Sequence, residues 1–183
     1  MSKYAALDGP SSCRYAPYTA PWDSVAIWVT ANVSLQHLCA RHQAALGTVR
    51  ETARQLKSCL ESLFPVLETL CSQSCAACQS PCCHVATVWF DYKDLLFMHL
   101  SGQALAVKQL RRDSEGVCCC CGPSGCCLPR LSRPWTCSWY LCPTQKNLLA
   151  GMPRKAVRRY ETSVAAVKRL RKQLETDFIR ITS

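Results

Sequence analysis

The chain has 183 residues, sixteen of them cysteine, with a formal charge of +10. Its mean hydropathy is −0.03, which fits a globular chain and excludes a disordered or membrane-embedded one. No stretch approaches the ~20 apolar residues of a membrane helix, and Asp8, Gly9 and Pro10 interrupt the start before a signal-peptide core could form. We therefore expect a cytoplasmic protein whose cysteines are free in a reducing compartment. There, clustered thiols point to metal rather than to a disulfide framework.

Residues 1–33 are rich in Pro, Tyr, Ser and Ala and read as an irregular arm, anchored by Trp22, Ile27 and Trp28. The rest, 34–183, reads as a single domain. Ser34 is a candidate N-cap. From there apolar positions recur at Leu35, Cys39, His42, Leu46, Val49, Ala53, Leu56, Leu60, Leu63, Leu67 and Leu70. Alternating steps of three and four predict a coiled-coil or hairpin helix over 34–70. Pro65 is expected to kink it or to start a second segment. His42 reads as a packed seam residue rather than a ligand.

Next come Cys71, Cys75, Cys78, Cys82 and Cys83. A Cys-x-x-Cys turn aims two sulfurs at one ion, although redox dithiols share the spacing. Adjacent side chains diverge, so Cys82 and Cys83 suit two neighbouring metals better than one. Cys71 reads as the end of the helical seam. Residues 85–90 look like a short strand. Asp91 and Asp94 then predict an N-cap opening a helix to about Leu110, a role favoured over Asp91 as ligand or base.

The second cluster holds the run 118–121, then Cys126, Cys127, Cys137 and Cys142, with Gly122 and Gly125 permitting sharp turns. After Pro153, which suits a first helical turn, a second seam runs through Val157, Tyr160, Val164, Val167, Leu174, Phe178 and Ile181. Arg171 takes one of its positions. The fold expected is mainly α. A long helical hairpin (34–70 and 153–180), or a homodimer formed through the same seams, brackets a small irregular/β cysteine-rich module (71–143).

Residues 154–183 carry nine Lys/Arg against three acids. A basic helix can bind nucleic acid, but interleaved aromatics are missing, so this reading ranks low. Positive charge also offsets the excess negative charge of a thiolate site.

The middle of the chain resembles the YkgJ-type CxxCxxCC proteins, described as zinc- or iron-chelating domains. Cys75, Cys78, Cys82 and Cys83 match the first half, with one extra residue before the double cysteine. Asp91 matches the helix-opening acid. Cys126 matches the Gly-Cys, Arg133 and Pro134 the Arg-Pro, and Cys137, Tyr140 and Cys142 the ending. Spacing selects Cys118 as the remaining cysteine, with its neighbours through Cys121 as alternatives. The resemblance spans about residues 75–143. It implies that Cys75, Cys78, Cys82, Cys83, Cys118, Cys126, Cys137 and Cys142 ligate one or two centres of zinc or iron, including an iron–sulfur cluster. Arg133 is expected to support them by offsetting thiolate charge or by binding loop carbonyls.

Three functions follow as expectations. The first is a metal-binding protein. The second is an iron–sulfur or mononuclear-iron enzyme or redox protein, methylase-like or an oxidoreductase, since a flagellin lysine methylase carries a similar cluster. The third is a zinc-dependent nucleic-acid-binding module. No motif on the chain names a reaction.

Overall fold

A computed structural model describes residues 20–75, 78–122 and 125–183. Most of the expected N-terminal arm, residues 1–19, lies outside them. The architecture is mainly helical: seven helices, a 3-10 turn and one two-strand ladder among the described residues.

Helix α1, Val25–Arg41, is capped by the Ser24 hydroxyl, which accepts from the Ile27 amide at 3.2 Å. The helix therefore starts nine residues before the expected Ser34 and absorbs the end of the supposed arm. Trp28 is buried and stacks near Phe90, with ring centroids 5.5 Å apart, while Ile27 stays exposed. The anchor is Trp28 with Trp22, not Ile27.

Residues 42–46 then turn, with the His42 carbonyl accepting from the Ala45 and Leu46 amides. This turn divides the expected continuous helix. It keeps Cys39 and Leu46 on the core side, so the spacing survives the break. Helix α2, Gly47–Ser74, runs through Pro65 without dividing there. Of the eleven first-seam residues, all but the half-buried His42 are buried.

α3 is a short turn of helix, Cys82–Val85. Ala86 is extended, but residues 86–90 form no strand, so the expected strand over 85–90 is not made. A side chain takes a strand partner's place. The buried Gln109 amide accepts from the Phe90 amide at 2.8 Å and donates to its carbonyl at 3.0 Å.

α4, Tyr92–Ser101, opens on the capping box expected of Asp91 and Asp94. It ends well before Leu110, because Gly102 takes a left-handed conformation, φ 67°, and its amide caps the Met98 carbonyl. α5 (Trp135–Trp139) and α6 (Pro143–Ala150) are short, and α7, Arg154–Thr182, is long and amphipathic. Arg171 is buried at the seam position expected of it, and Leu170 is buried beside the expected seam.

α2 packs chiefly against α7, and α4 packs against both. The Ser62 and Ser163 hydroxyls meet at 2.8 Å across the α2–α7 contact. Leu46, Val49, Leu56, Leu63, Leu70, Leu174 and Phe178 are essentially sealed from water. At ~1.5–3 kcal/mol for each large apolar side chain fully buried, this core is the main source of order in the helical body. Both seams are covered within a single chain. No described helix is long and apolar enough to cross a membrane.

Candidate metal centre

Three separated stretches of chain supply the thiols. The last turn of α2 presents Cys71 and Cys75, and α3 presents Cys82 and Cys83. A minimal hairpin, β1 (Cys121–Gly122) with β2 (Gly125–Cys126), pairs Cys121 with Cys126. Gly125 sits at φ 103°, a backbone state that side-chain-bearing residues avoid. α5 carries Cys137, and Cys142 precedes α6 at its N-cap.

The hairpin is stitched to α3 through the main chain. The Cys118 amide donates to the Cys83 carbonyl at 2.8 Å, and the Arg112 guanidinium donates to the His84 carbonyl at 2.9 Å. Arg133 donates from Nε to the Leu128 carbonyl at 2.9 Å and from an Nη to the Cys126 carbonyl at 3.2 Å. It thus binds the loop carbonyls, as its place before Cys137 suggested.

The fifteen described cysteines are all free thiols, and ten of them fall into two groups. In the first, burial raises the pKa of Cys82, and the nearby thiols Cys142, Cys78 and Cys71 add to the rise. Burial likewise raises Cys75. The Ser74 hydroxyl lowers it, and Cys71 and Cys82 raise it further. Gln145, itself buried, donates its amide to the sulfurs of both Cys71 and Cys75 at 3.6 Å. Its Oε1 accepts from the Cys142 amide at 3.4 Å, joining the two ends of this group.

In the second group, burial pushes Cys83 up to about 12, with Cys121, Cys118 and Cys126 contributing. Desolvation also raises Cys137, although the residue is solvent-accessible. Cys126, Cys83 and Cys118 raise it further, and Arg133 pulls it back. Crowded thiols resist ionising because each negative sulfur opposes the next; a cation among them reverses that balance.

Four of the eight expected residues (Cys75, Cys78, Cys82 and Cys142) lie in the first group. The other four (Cys83, Cys118, Cys126 and Cys137) lie in the second. Each group also holds a thiol that the motif did not select, Cys71 and Cys121. Cys119, Cys120 and Cys127 form a third patch, with the Cys119 and Cys120 sulfurs 4.0 Å apart. Thiolate donors are those that zinc and iron–sulfur centres take. Among the described residues, however, no three His, Cys, Asp or Glu side chains are disposed to hold an ion as they stand.

A buried ion network links this region to the helical body. Arg171 on α7 pairs with both Asp91 and Asp94, and the Trp135 amide at the head of α5 donates to Asp94 at 3.0 Å. Burial raises Asp94 to about 6 even though Arg171 opposes the shift. The Asp91 carboxylate, partly exposed, accepts from Arg171 and from the Asp94 amide of the cap.

Comparison with models of known families, with curated proteins and with solved structures finds no match to the chain.

Proposed function

We propose that this chain is a metal-binding protein that holds zinc or iron through clustered cysteine thiolates. One observation carries the reading. Cysteines far apart in sequence meet shared partners: Gln145 links the Cys71 and Cys75 sulfurs to the Cys142 amide, the Cys118 amide meets the Cys83 carbonyl, and Cys121 pairs with Cys126. Packing does not account for this, because none of the described residues 78–85 is buried and so no apolar core draws that loop in. Kinship with the YkgJ-type proteins belongs to the same proposal, as does the expected reducing, cytoplasmic setting.

The helical body acts as a scaffold. The end of α2 reaches Gln145 of α6, and Ser62, further back, meets Ser163 of α7. That order suits antiparallel neighbours and supports a hairpin that leaves the cysteine module at one end. A bound ion would supply the attraction that holds the thiolates together, and iron would add redox capacity.

Elemental analysis of the full chain purified without oxygen tests the reading, and a visible spectrum identifies the metal. Stoichiometric zinc with no colour, or iron with thiolate absorption, is expected. Protein without stoichiometric zinc or iron would overturn it.

A further inference from the structure

The two sides of α7 differ in kind. Tyr160, Val167, Leu170, Leu174 and Phe178 are buried in the core, while Arg154, Arg158, Arg169 and Lys172 are exposed. At 100° per residue these four cations fall within about 60° of one another, on the side away from the core. At 1.5 Å per residue they span about 27 Å of helix. The exposed residues between them on this arc are Thr162 and Ala165, with Glu161 at its edge, so no bulky side chain interrupts it. Lys155 and Arg159, also exposed, flank it.

The charge on this face is uncompensated. Arg171 is buried against Asp91 and Asp94, Arg180 pairs with Asp177, and Lys168 lies 5.1 Å over the Trp139 ring. The remaining cations of α7 have no ion pair or side-chain hydrogen bond to any described residue. The acids that could neutralise them are largely taken, Glu175 by Lys93 and Asp177 by Arg180. The outer face of α2 is the contrast, because Arg54 pairs with Glu51 and Lys57 with Glu61. On α7, Arg154 with Arg158 and Lys155 with Arg159 stand four residues apart, where like charges weaken a helix. A polyanion laid along the face relieves that repulsion.

We propose that the outer face of α7 binds the phosphodiester backbone of a nucleic-acid duplex. Arginine predominates among its free cations, and the planar guanidinium meets phosphate oxygens in pairs. Single strands are held by bases stacked on aromatic rings, which this face lacks; a duplex touched at its phosphates needs none. A membrane is the poorer fit, because the apolar stripe of α7 is buried in the core and cannot enter lipid. This interaction is independent of the metal-binding reading and stands or falls apart from it.

Fluorescence anisotropy tests it, with the full chain purified without oxygen and labelled DNA and RNA duplexes of about 20 base pairs. Four phosphate contacts predict that affinity for the DNA falls about 100-fold between ~50 and ~200 mM salt. Arg158→Gln combined with Arg169→Gln should halve the slope of log affinity against log salt. Arg54→Gln combined with Lys57→Gln removes the same charge from α2 and should leave affinity within about twofold. Glutamine is a good helix former and all four sites are solvated, so both variants should fold, as circular dichroism would verify. Equal weakening by the two pairs would reduce the effect to net charge and overturn the assignment to α7. A parent that binds neither duplex at ~50 mM salt, or that binds phosphatidylserine vesicles instead, would overturn the proposal.

Discussion

The helical body and the cysteine region are ordered by different means. α2 alone buries nine residues in a seam against its neighbours. Between residues 78 and 85 nothing described is buried, and the hairpin region contributes little beyond Cys118. What fixes the cysteine segments is a set of directional contacts: Arg133 to two carbonyls, Gln145 to two sulfurs, and Cys118 to the main chain of α3. An apolar seam has a broad, redundant source of stability. A polar module with so little core needs a further attraction, which the proposed metal ion would provide.

α4 stands between the two. It falls inside the cysteine-rich stretch of sequence, yet Leu95, Leu96, Phe97, Met98 and Leu100 bury it in the helical core. Arg171 anchors its first turn. In energetic terms α4 belongs to the body.

Variants can sharpen this contrast. The largest effect is expected at Arg171. Arg171→Met leaves the buried Asp94 carboxyl without its cation, a loss of about 3–5 kcal/mol in a chemical unfolding experiment. The deficit should depend on pH. Asp94 titrates near 6 in the folded chain against an ordinary 3.8, so its contribution to stability is complete below 3.8 and is lost as pH rises through 6. Removing Arg171 takes away the charge that opposes this rise. The variant should therefore lie closer to the parent at pH 5 than at pH 8. A deficit independent of pH would show that Asp94 is not the group left stranded.

Next in size, Leu63→Ala cuts the middle of the α2 seam, where the side chain is sealed from water. We expect a loss of about 2–5 kcal/mol, with metal content unchanged. Metal loss in step with this cavity would show that the two regions are not separable. The smallest effect belongs to Arg133→Ala, which should weaken metal binding by ~10–100-fold and leave the helical signal in circular dichroism as it was. Affinity within about twofold of the parent would remove Arg133 from the support of the centre.

Much of the body was legible because apolar spacing reports directly on burial. Ten of the first-seam positions are core residues, and Asp91 with Asp94 opens α4 as the capping pattern required. The break at residues 42–46 was hidden because the turn preserves the spacing across it. The end of α4 was written in one residue, Gly102, within an otherwise helical stretch. Arg171 looked like an exception on its seam because its partners lie 77 and 80 residues away in sequence. Within the candidate site, the resemblance implied eight thiols drawn from three separated stretches of the chain. Cys71, which accepts from the Gln145 amide, reads in sequence as the end of the α2 seam, and Cys121 as one alternative in a run of four. Spacing alone does not separate neighbours in such a run; the pairing of Cys121 with Cys126 across the hairpin does.

The central claim is that metal orders the cysteine module while the apolar seam orders the body. Hydrogen exchange read by mass spectrometry, on the metal-loaded chain before and after anaerobic chelation, tests it segment by segment. The account predicts that protection is lost at residues 78–85 and 111–142 and kept across α2, α4 and α7. Loss of protection along the whole chain, or no loss in the cysteine segments, would contradict it.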